Sequence, residues 1–332
     1  MENKGNIDFV ITWVDGNDPA WIEEKARYTI DGDGRDVRFR DWDLLRYWFR
    51  GVEAIAPWVR KIHFVTWGHL PEWLNVNNPK LNIVKHEDFI PERFLPTFNS
   101  HTIELNLHRI EGLSDTFVYF NDDMFLIDQV PEEFFFKEGL PCDAFQMSPI
   151  YFGRDSIGWI NGSNTSVIND HFRMRDVVKK NWKKVFSPKN GIKKNIKNLA
   201  LSFLVPWFPG LDYWHITSSF LKETFEEVWE IEPEILEETC RCRFREKTNV
   251  SPFLMKDWQL VTGRFMPMSL KTGKAYHLND KRVGFVEKTL ERKSYKIICI
   301  NDTENLTDWE DARDRIKAAF EKDYSGKCSF EL

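Results

Sequence analysis

From Asp8 to Thr66 the chain passes from one apolar, strand-like run to another through a single amphipathic helix. That order commits the two strands to lie parallel, with the helix packed across them. Asp8–Val14 and Lys61–Thr66 read as the strands. Between them Leu44, Leu45, Trp48, Val52 and Ile55 fall on one helical stripe, with Asp41 placed to cap its start and Pro57 to end it. Leu81–Val84, Phe117–Phe120 and Ala144–Met147 continue the strand pattern, so the first half predicts an α/β fold with a mainly parallel sheet covered on both faces. In such a sheet ligands bind beyond the carboxyl ends of the strands, and the residues there carry the functional argument.

The composition narrows the choice of ligand. A net charge of −6 excludes a coat on nucleic acid, which needs a basic face to displace counterions. One local basic stretch runs from Val177 to Leu211, where no acid occurs and Lys179, Lys180, Lys183, Lys184, Lys189, Lys193, Lys194 and Lys197 precede an aromatic stretch. This reads as a helical surface insertion, either a solvated basic face or an amphipathic element lying on anionic lipid headgroups. Phe225–Glu238 reads as an acidic helix, Tyr295–Ile300 as a strand, and residues 307–322 as a closing charged helix. The five cysteines form no CxxC pair and read as reduced packing residues. The MENKGNIDFV start lacks a signal peptide's basic and apolar regions, and the apolar runs are too short to span a bilayer. The expected location is therefore cytoplasmic, with peripheral contact on the inner face of the membrane as the further possibility. Sequons such as Asn161-Gly162-Ser163 then count as chance matches.

Several strand ends carry chemistry. The first run passes into Trp13-Val14-Asp15-Gly16-Asn17-Asp18, an ordinary turn or a ligand loop. Phe117–Phe120 delivers Asn121-Asp122-Asp123 to the sheet edge, and adjacent carboxylates there suit a hard cation such as Mg²⁺ or Mn²⁺ bridging a diphosphate. From Ser100 to Ile110 a helix is expected, capped by Ser100, with Ile103, Leu107 and Ile110 on one face and His101, Glu104, His108 and Glu111 on the other. That second face is a solvated one or an acid–base site. His215, the cluster Arg241, Arg243 and Arg245, and Asn301-Asp302 after the last strand complete the candidates.

In their order and spacing these segments resemble the four regions of the Stealth family, which includes bacterial capsule phosphotransferases and the animal GlcNAc-1-phosphotransferase that tags lysosomal enzymes. The matching stretches are IDFVITWVDGNDPAW, a long second region from Arg38 through LPTFNSHTIELNLHRIEGLSDTFVYFNDDMF, the surroundings of His215 with RFREKTNVS, and IICINDT. The resemblance implies a GT-A-like, Rossmann-type core, a UDP-sugar donor and a divalent cation, Mg²⁺ or Mn²⁺. It implies donor and catalytic roles at Asp15, Glu104, Asp123, His215, Arg245 and the Asn301-Asp302 pair; beside these, Trp13, His108, Arg109, Asp122 and Arg243 are expected to contact the substrate. The metal would rest on Asp123, Asn301 and Asp302. Asn249 stands where family members usually carry Asp and receives no catalytic role.

On this reading residues 1–332 form one catalytic domain, with 1–150 as the nucleotide-sugar half, 177–211 as the basic insertion and 212–332 completing the site. The expected reaction moves a hexose or N-acetylhexosamine 1-phosphate from the donor to a hydroxyl of a growing glycan, either free or lipid-linked. His215 is the first choice of base, because imidazole titrates near neutrality, with Glu104 or His108 as substitutes. Two other readings stand beside it. One is a metal-dependent glycosyltransferase on the same fold, and the other a carbohydrate-binding protein whose 14 tryptophans stack on sugar rings.

Overall fold

The computed structural model describes residues 6–29, 40–154 and 156–332. Arg38, where the second resembling stretch begins, and the first five residues of the MENKGNIDFV start lie outside them. Among the described residues the strands are β1 (Ile7–Thr12), β2 (Ile62–Thr66), β3 (Leu81–Lys85), β4 (Thr116–Asn121), β5 (Met124–Leu126), β6 (Phe136–Lys137), β7 (Leu140–Asp143), β8 (Ser218–Leu221), β9 (Met266–Pro267), β10 (Gly273–His277) and β11 (Ile297–Asn301). The central sheet has the order β3-β2-β1-β4-β8, parallel throughout except for β8.

Strand alternation builds the two faces of this sheet. Phe9, Ile11, Ile62, Phe64, Val118 and Phe120 point into one core, against the helices Leu45–Ile55, Asp280–Arg292 and Trp309–Glu321. Val10, Val65, Phe117 and Tyr119 point into the other, against Gly158–His171, Lys222–Ile231 and Phe253–Thr262. A second sheet, β10-β11-β5, packs beside the first core, and a third, β6-β7-β9, lies against β8. At the amino end of β1, away from the ligand edge, buried Asp8 accepts hydrogen bonds from Arg60 (2.8 Å), His63 (3.0 Å) and the Ser114 N–H (2.8 Å). This is how a buried charge is held in a scaffold.

The structure corrects several expectations. Ala144–Met147 is not a strand of the central sheet; β7 ends at Asp143, and Met147 makes only a bridge to Leu211. The fifth central strand is β8, whose Ser-Ser-Phe-Leu sequence is too short and polar to stand out. Two helices, Pro19–Tyr28 and Leu45–Ile55, stand between β1 and β2 where one was expected, and Asp41 does not cap the second, its Oδ1 accepting instead from the Asp43 N–H (2.7 Å). The Ser100 helix ends at Leu105 and a 3₁₀ turn follows at Leu107–Arg109; its cap is Asn99, whose side chain accepts from the His101 N–H. The acidic helix is two, Lys222–Ile231 and Pro233–Arg241, broken where Pro233 removes a backbone donor. Nor is the basic segment a loose addition, because Val185, Asn198 and Phe208 within it are buried.

Candidate active site at the carboxyl edge of the sheet

The candidate site follows from chain direction. β4 ends at Asn121, and Asp122-Asp123 make the tight turn into β5. β5 pairs antiparallel with β11 in the register Met124↔Cys299, so the Ile300 N–H donates to the Asp123 carbonyl at 2.8 Å. The two-residue period of β11 puts Cys299 and Asn301 on one side. Both reach the same carboxylate oxygen, Asp123 Oδ2: the Cys299 thiol at 3.1 Å and Asn301 Nδ2 at 3.4 Å. Because β8 is antiparallel to β4, with Ser218 opposite Tyr119, it begins where β4 ends. That brings His215, just upstream of it, to 3.6 Å from Asp123 Oδ2 through Nε2.

Charge and burial set the state of this group. Burial works to raise the Asp123 carboxyl, but the nearby His215, with hydrogen bonds from Cys299 and Asn301, brings it below the usual range. His215 moves the opposite way. Burial disfavours its cation, yet Asp123, and then Glu104, raise it above an ordinary imidazole. Cys299 is held as a neutral thiol by burial and by the Asp123 charge, and so acts as a donor.

A second cluster adjoins the first. Glu104 is buried and raised by burial, an effect offset in part by Arg245 and by bonds from Ser100 and Tyr119. The Tyr119 hydroxyl lies 3.1 Å from Glu104 Oε1, 2.9 Å from the Thr12 hydroxyl and 2.6 Å from Asn121 Oδ1, and so links β1, β4 and the Ser100–Leu105 helix. Arg245 Nη2 donates to the Ser100 hydroxyl. On the β1 side the Asp15 N–H donates to His69 Nε2 (2.6 Å), and Trp13 packs on Phe64 and edge-on to His69. Desolvation by the walls of the crevice, then the carboxylates of Asp123 and Asp41, push Asp122 up to about 7 although its outer edge reaches solvent.

Other predicted positions are not brought here. Asp302 engages Trp42 Nε1 (3.1 Å) and Arg40 (3.6 Å) with one oxygen and the Thr303 N–H (2.7 Å) with the other. His108 stacks on Phe225 and lies beside Trp229, and burial pushes it down to about 3. Arg109 lies over the Trp229 ring. The 3₁₀ turn rotates this pair away from the face that carries Glu104. Arg243 donates to the Pro96 carbonyl (2.6 Å) and covers Tyr28. Asn249 is a buried structural hub, accepting from Asn99 Nδ2 (3.0 Å) and the Glu246 N–H (2.9 Å). Sequence reasoning missed Cys299, His69, Asp41, Tyr119 and the Arg40–Trp42 pair.

The residues present fit a cation. Asp123, His215 and Cys299 offer ligand atoms within 4.8 Å of one another. Asp123 Oδ1 is buried with no hydrogen-bond partner, and such an oxygen costs free energy unless something binds it. Asp123 supplies the oxygen donor that a hard divalent ion prefers, whereas the nitrogen of His215 and the sulfur of Cys299 favour a softer one; Asn301 turns its Nδ2 to Asp123 and its Oδ1 to His277 Nδ1 (3.2 Å).

The segment carrying His215 is anchored by Tyr213, whose hydroxyl donates to Asp257 Oδ2 (2.5 Å). Burial pushes Asp257 up to about 8, against the hydrogen bond from Tyr213 and the charge of Lys256, with Asp143 adding to the rise. An unfolded Asp titrates near 3.9, so between about pH 4 and 8 the folded state binds the extra proton and stability falls as pH rises. Asp257→Asn should therefore melt above the parent at pH 8 and lose that advantage toward pH 4. Thermal scans across pH check this, and parallel curves for the two proteins would contradict it.

Comparison with known proteins places the chain. Residues 5–33 match Stealth protein CR1, conserved region 1, and residues 38–142 match Stealth protein CR2, conserved region 2. The capsular polysaccharide phosphotransferase WcwK of Streptococcus pneumoniae is 41% identical over 338 residues, covering 100% of this chain and 99% of the relative. The receptor polysaccharide phosphotransferase WefC of Streptococcus gordonii is 38% identical, covering 98% and 99%. The exopolysaccharide phosphotransferase cps2G of Lactiplantibacillus plantarum is 35% identical, covering 98% and 96%. Among solved structures, the galactosyltransferase LgtC with donor and acceptor sugar analogs overlaps 97% of this chain and 98% of its own at 11% identity and a TM-score of 0.40. With two conserved regions in place and relatives matched from end to end, the chain belongs to the Stealth family.

Proposed function

We propose that this protein is a polysaccharide phosphotransferase that moves a hexose or N-acetylhexosamine 1-phosphate from a UDP-sugar to a hydroxyl of a growing glycan. The observation that carries this reading is the meeting of Asp123, His215 and Asn301 at one sheet edge, with Glu104 and Arg245 alongside, in a chain related end to end to polysaccharide phosphotransferases. Residues 1–150 would hold the donor and 212–332 would complete one catalytic domain, since Asp123 comes from the first part and His215 and Asn301 from the second. A lipid-linked acceptor would be met at a membrane surface, on its cytoplasmic side.

The acceptor oxygen forms a bond to the β-phosphorus as the bond from that phosphorus to the bridging oxygen breaks, and UMP leaves in line. The sugar keeps its anomeric C–O bond and hence its configuration. His215 takes the hydroxyl proton, while Asp123 steadies the imidazolium that results. Arg245 presents a planar, charged fork to the equatorial phosphoryl oxygens. Asp15 and Trp13 line the nucleotide side. Asp123 and Asn301 would hold Mg²⁺ or Mn²⁺, which when bound neutralises diphosphate charge.

The test is incubation with a panel of UDP-sugars, an oligosaccharide acceptor and magnesium or manganese. UMP released in step with product is the expected result, and UDP in its place would overturn the reading in favour of simple glycosyl transfer.

A further inference from the structure

The Ile192–Leu204 helix is amphipathic in the wrong sense for a soluble protein. Its fully buried side chain is Asn198, whose amide donates to the carbonyls of Phe145 (2.9 Å) and Val185 (3.1 Å) and accepts from the Met147 N–H (2.9 Å). Helical spacing then puts Ile192, Ile196, Leu199 and Phe203 on the opposite side in a single stripe. All four are exposed, Ile192 at 80% and Phe203 at 76%. Leu204 and Trp207 extend the stripe, also exposed. Backbone bonds from Ser148 to Gly210 (3.0 Å) and from Ile150 to Pro209 (3.3 Å) bring in a neighbouring segment with exposed Tyr151, Phe152, Ile157 and Trp159.

A continuous apolar surface of this kind marks a contact face. Each large side chain left in water forgoes the free energy that its burial would contribute. No helix among the described residues is long and apolar enough to cross a membrane, so the stripe is suited to lie along a surface. Lys193 and Lys197 flank it at helical spacing, and the stretch from Val177 to Leu211 contains no acid. Lys179, Lys180 and Lys193 form no ion pair among the described residues. Cations beside an aromatic and aliphatic stripe match a boundary between anionic headgroups and acyl chains.

We infer that this face docks the protein on anionic phospholipid bilayers. Leaving the face, the chain runs directly through Leu211 and Tyr213 to His215, so docking fixes the catalytic edge relative to the lipid surface.

Flotation with phosphatidylcholine vesicles, with and without phosphatidylglycerol, tests the inference. The parent should float with the anionic vesicles at least about tenfold better than with the neutral ones, and less so at high salt. The Phe203→Ser, Trp207→Ser double variant should lose about tenfold or more of that binding. The Lys193→Gln, Lys197→Gln pair should lose most of the preference for anionic lipid. All three proteins should melt alike and use a soluble acceptor equally well, which keeps this test separate from the transferase reading. Absent binding, or equal binding to both vesicle types, would overturn the proposal. So would a dimer in vesicle-free sedimentation that the Phe203→Ser, Trp207→Ser change dissolves, because the face would then belong to a second copy of the chain.

Discussion

Asp123→Asn should leave the melting temperature within about 3 °C of the parent and lower turnover by on the order of 10³ or more, about 4 kcal/mol of transition-state stabilisation. The substitution is close to isosteric, and the remaining carbonyl oxygen can still accept from Cys299 and Asn301, whose donors lie 3.1 and 3.4 Å from Oδ2. What disappears is the negative charge. It holds His215 in its raised state and leaves Oδ1 buried and unbonded, open to a cation. Manganese binding followed by electron paramagnetic resonance should weaken in parallel. A variant that melts like the parent and keeps more than about a tenth of its activity would move the site elsewhere.

His215→Gln is expected to cut kcat by about 10²–10⁴, the range for loss of a positioned general base. The geometry allows two roles, since Nε2 lies 3.6 Å from Asp123 Oδ2 and the ring is also within reach of a shared ion. The two roles separate on metal affinity. A base that does not ligate the metal leaves manganese affinity within about threefold while kcat collapses, whereas loss of a ligand weakens it by about 10-fold or more. The account predicts the first outcome. Retained kcat would remove His215 from the chemistry altogether.

How far the sequence foretold this arrangement depended on whether local pattern and chain direction agreed. The β1–helix–β2 unit and β4 were legible because buried parallel strands are apolar on both faces, and Asp123 was legible because it ends such a run. His215 could be named, but its arrival beside Asp123 required knowing that Ser218–Leu221 is antiparallel, and four residues with two serines gave no such signal. Cys299 did leave a trace, since it stands two residues before Asn301 on one strand and must share its face. Asp302, one residue further on, falls on the other side and meets Trp42. The spacing argument set His108 on the face of Glu104 because it assumed an unbroken α-helix, and the 3₁₀ turn at Leu107–Arg109 changes the phase. For the basic stretch between Val177 and Leu211 the sequence leaves a solvated face and an amphipathic element both open, and the burial of Asn198 is what reveals which side of its last helix faces out.

Phosphorus NMR of the purified product addresses the central claim most directly, because transfer of a sugar 1-phosphate and transfer of a sugar differ in where one phosphorus atom ends. The account predicts a phosphodiester resonance coupled to the anomeric proton of the transferred sugar, with UMP formed in equal amount. A product without phosphorus, accompanied by UDP, would contradict it.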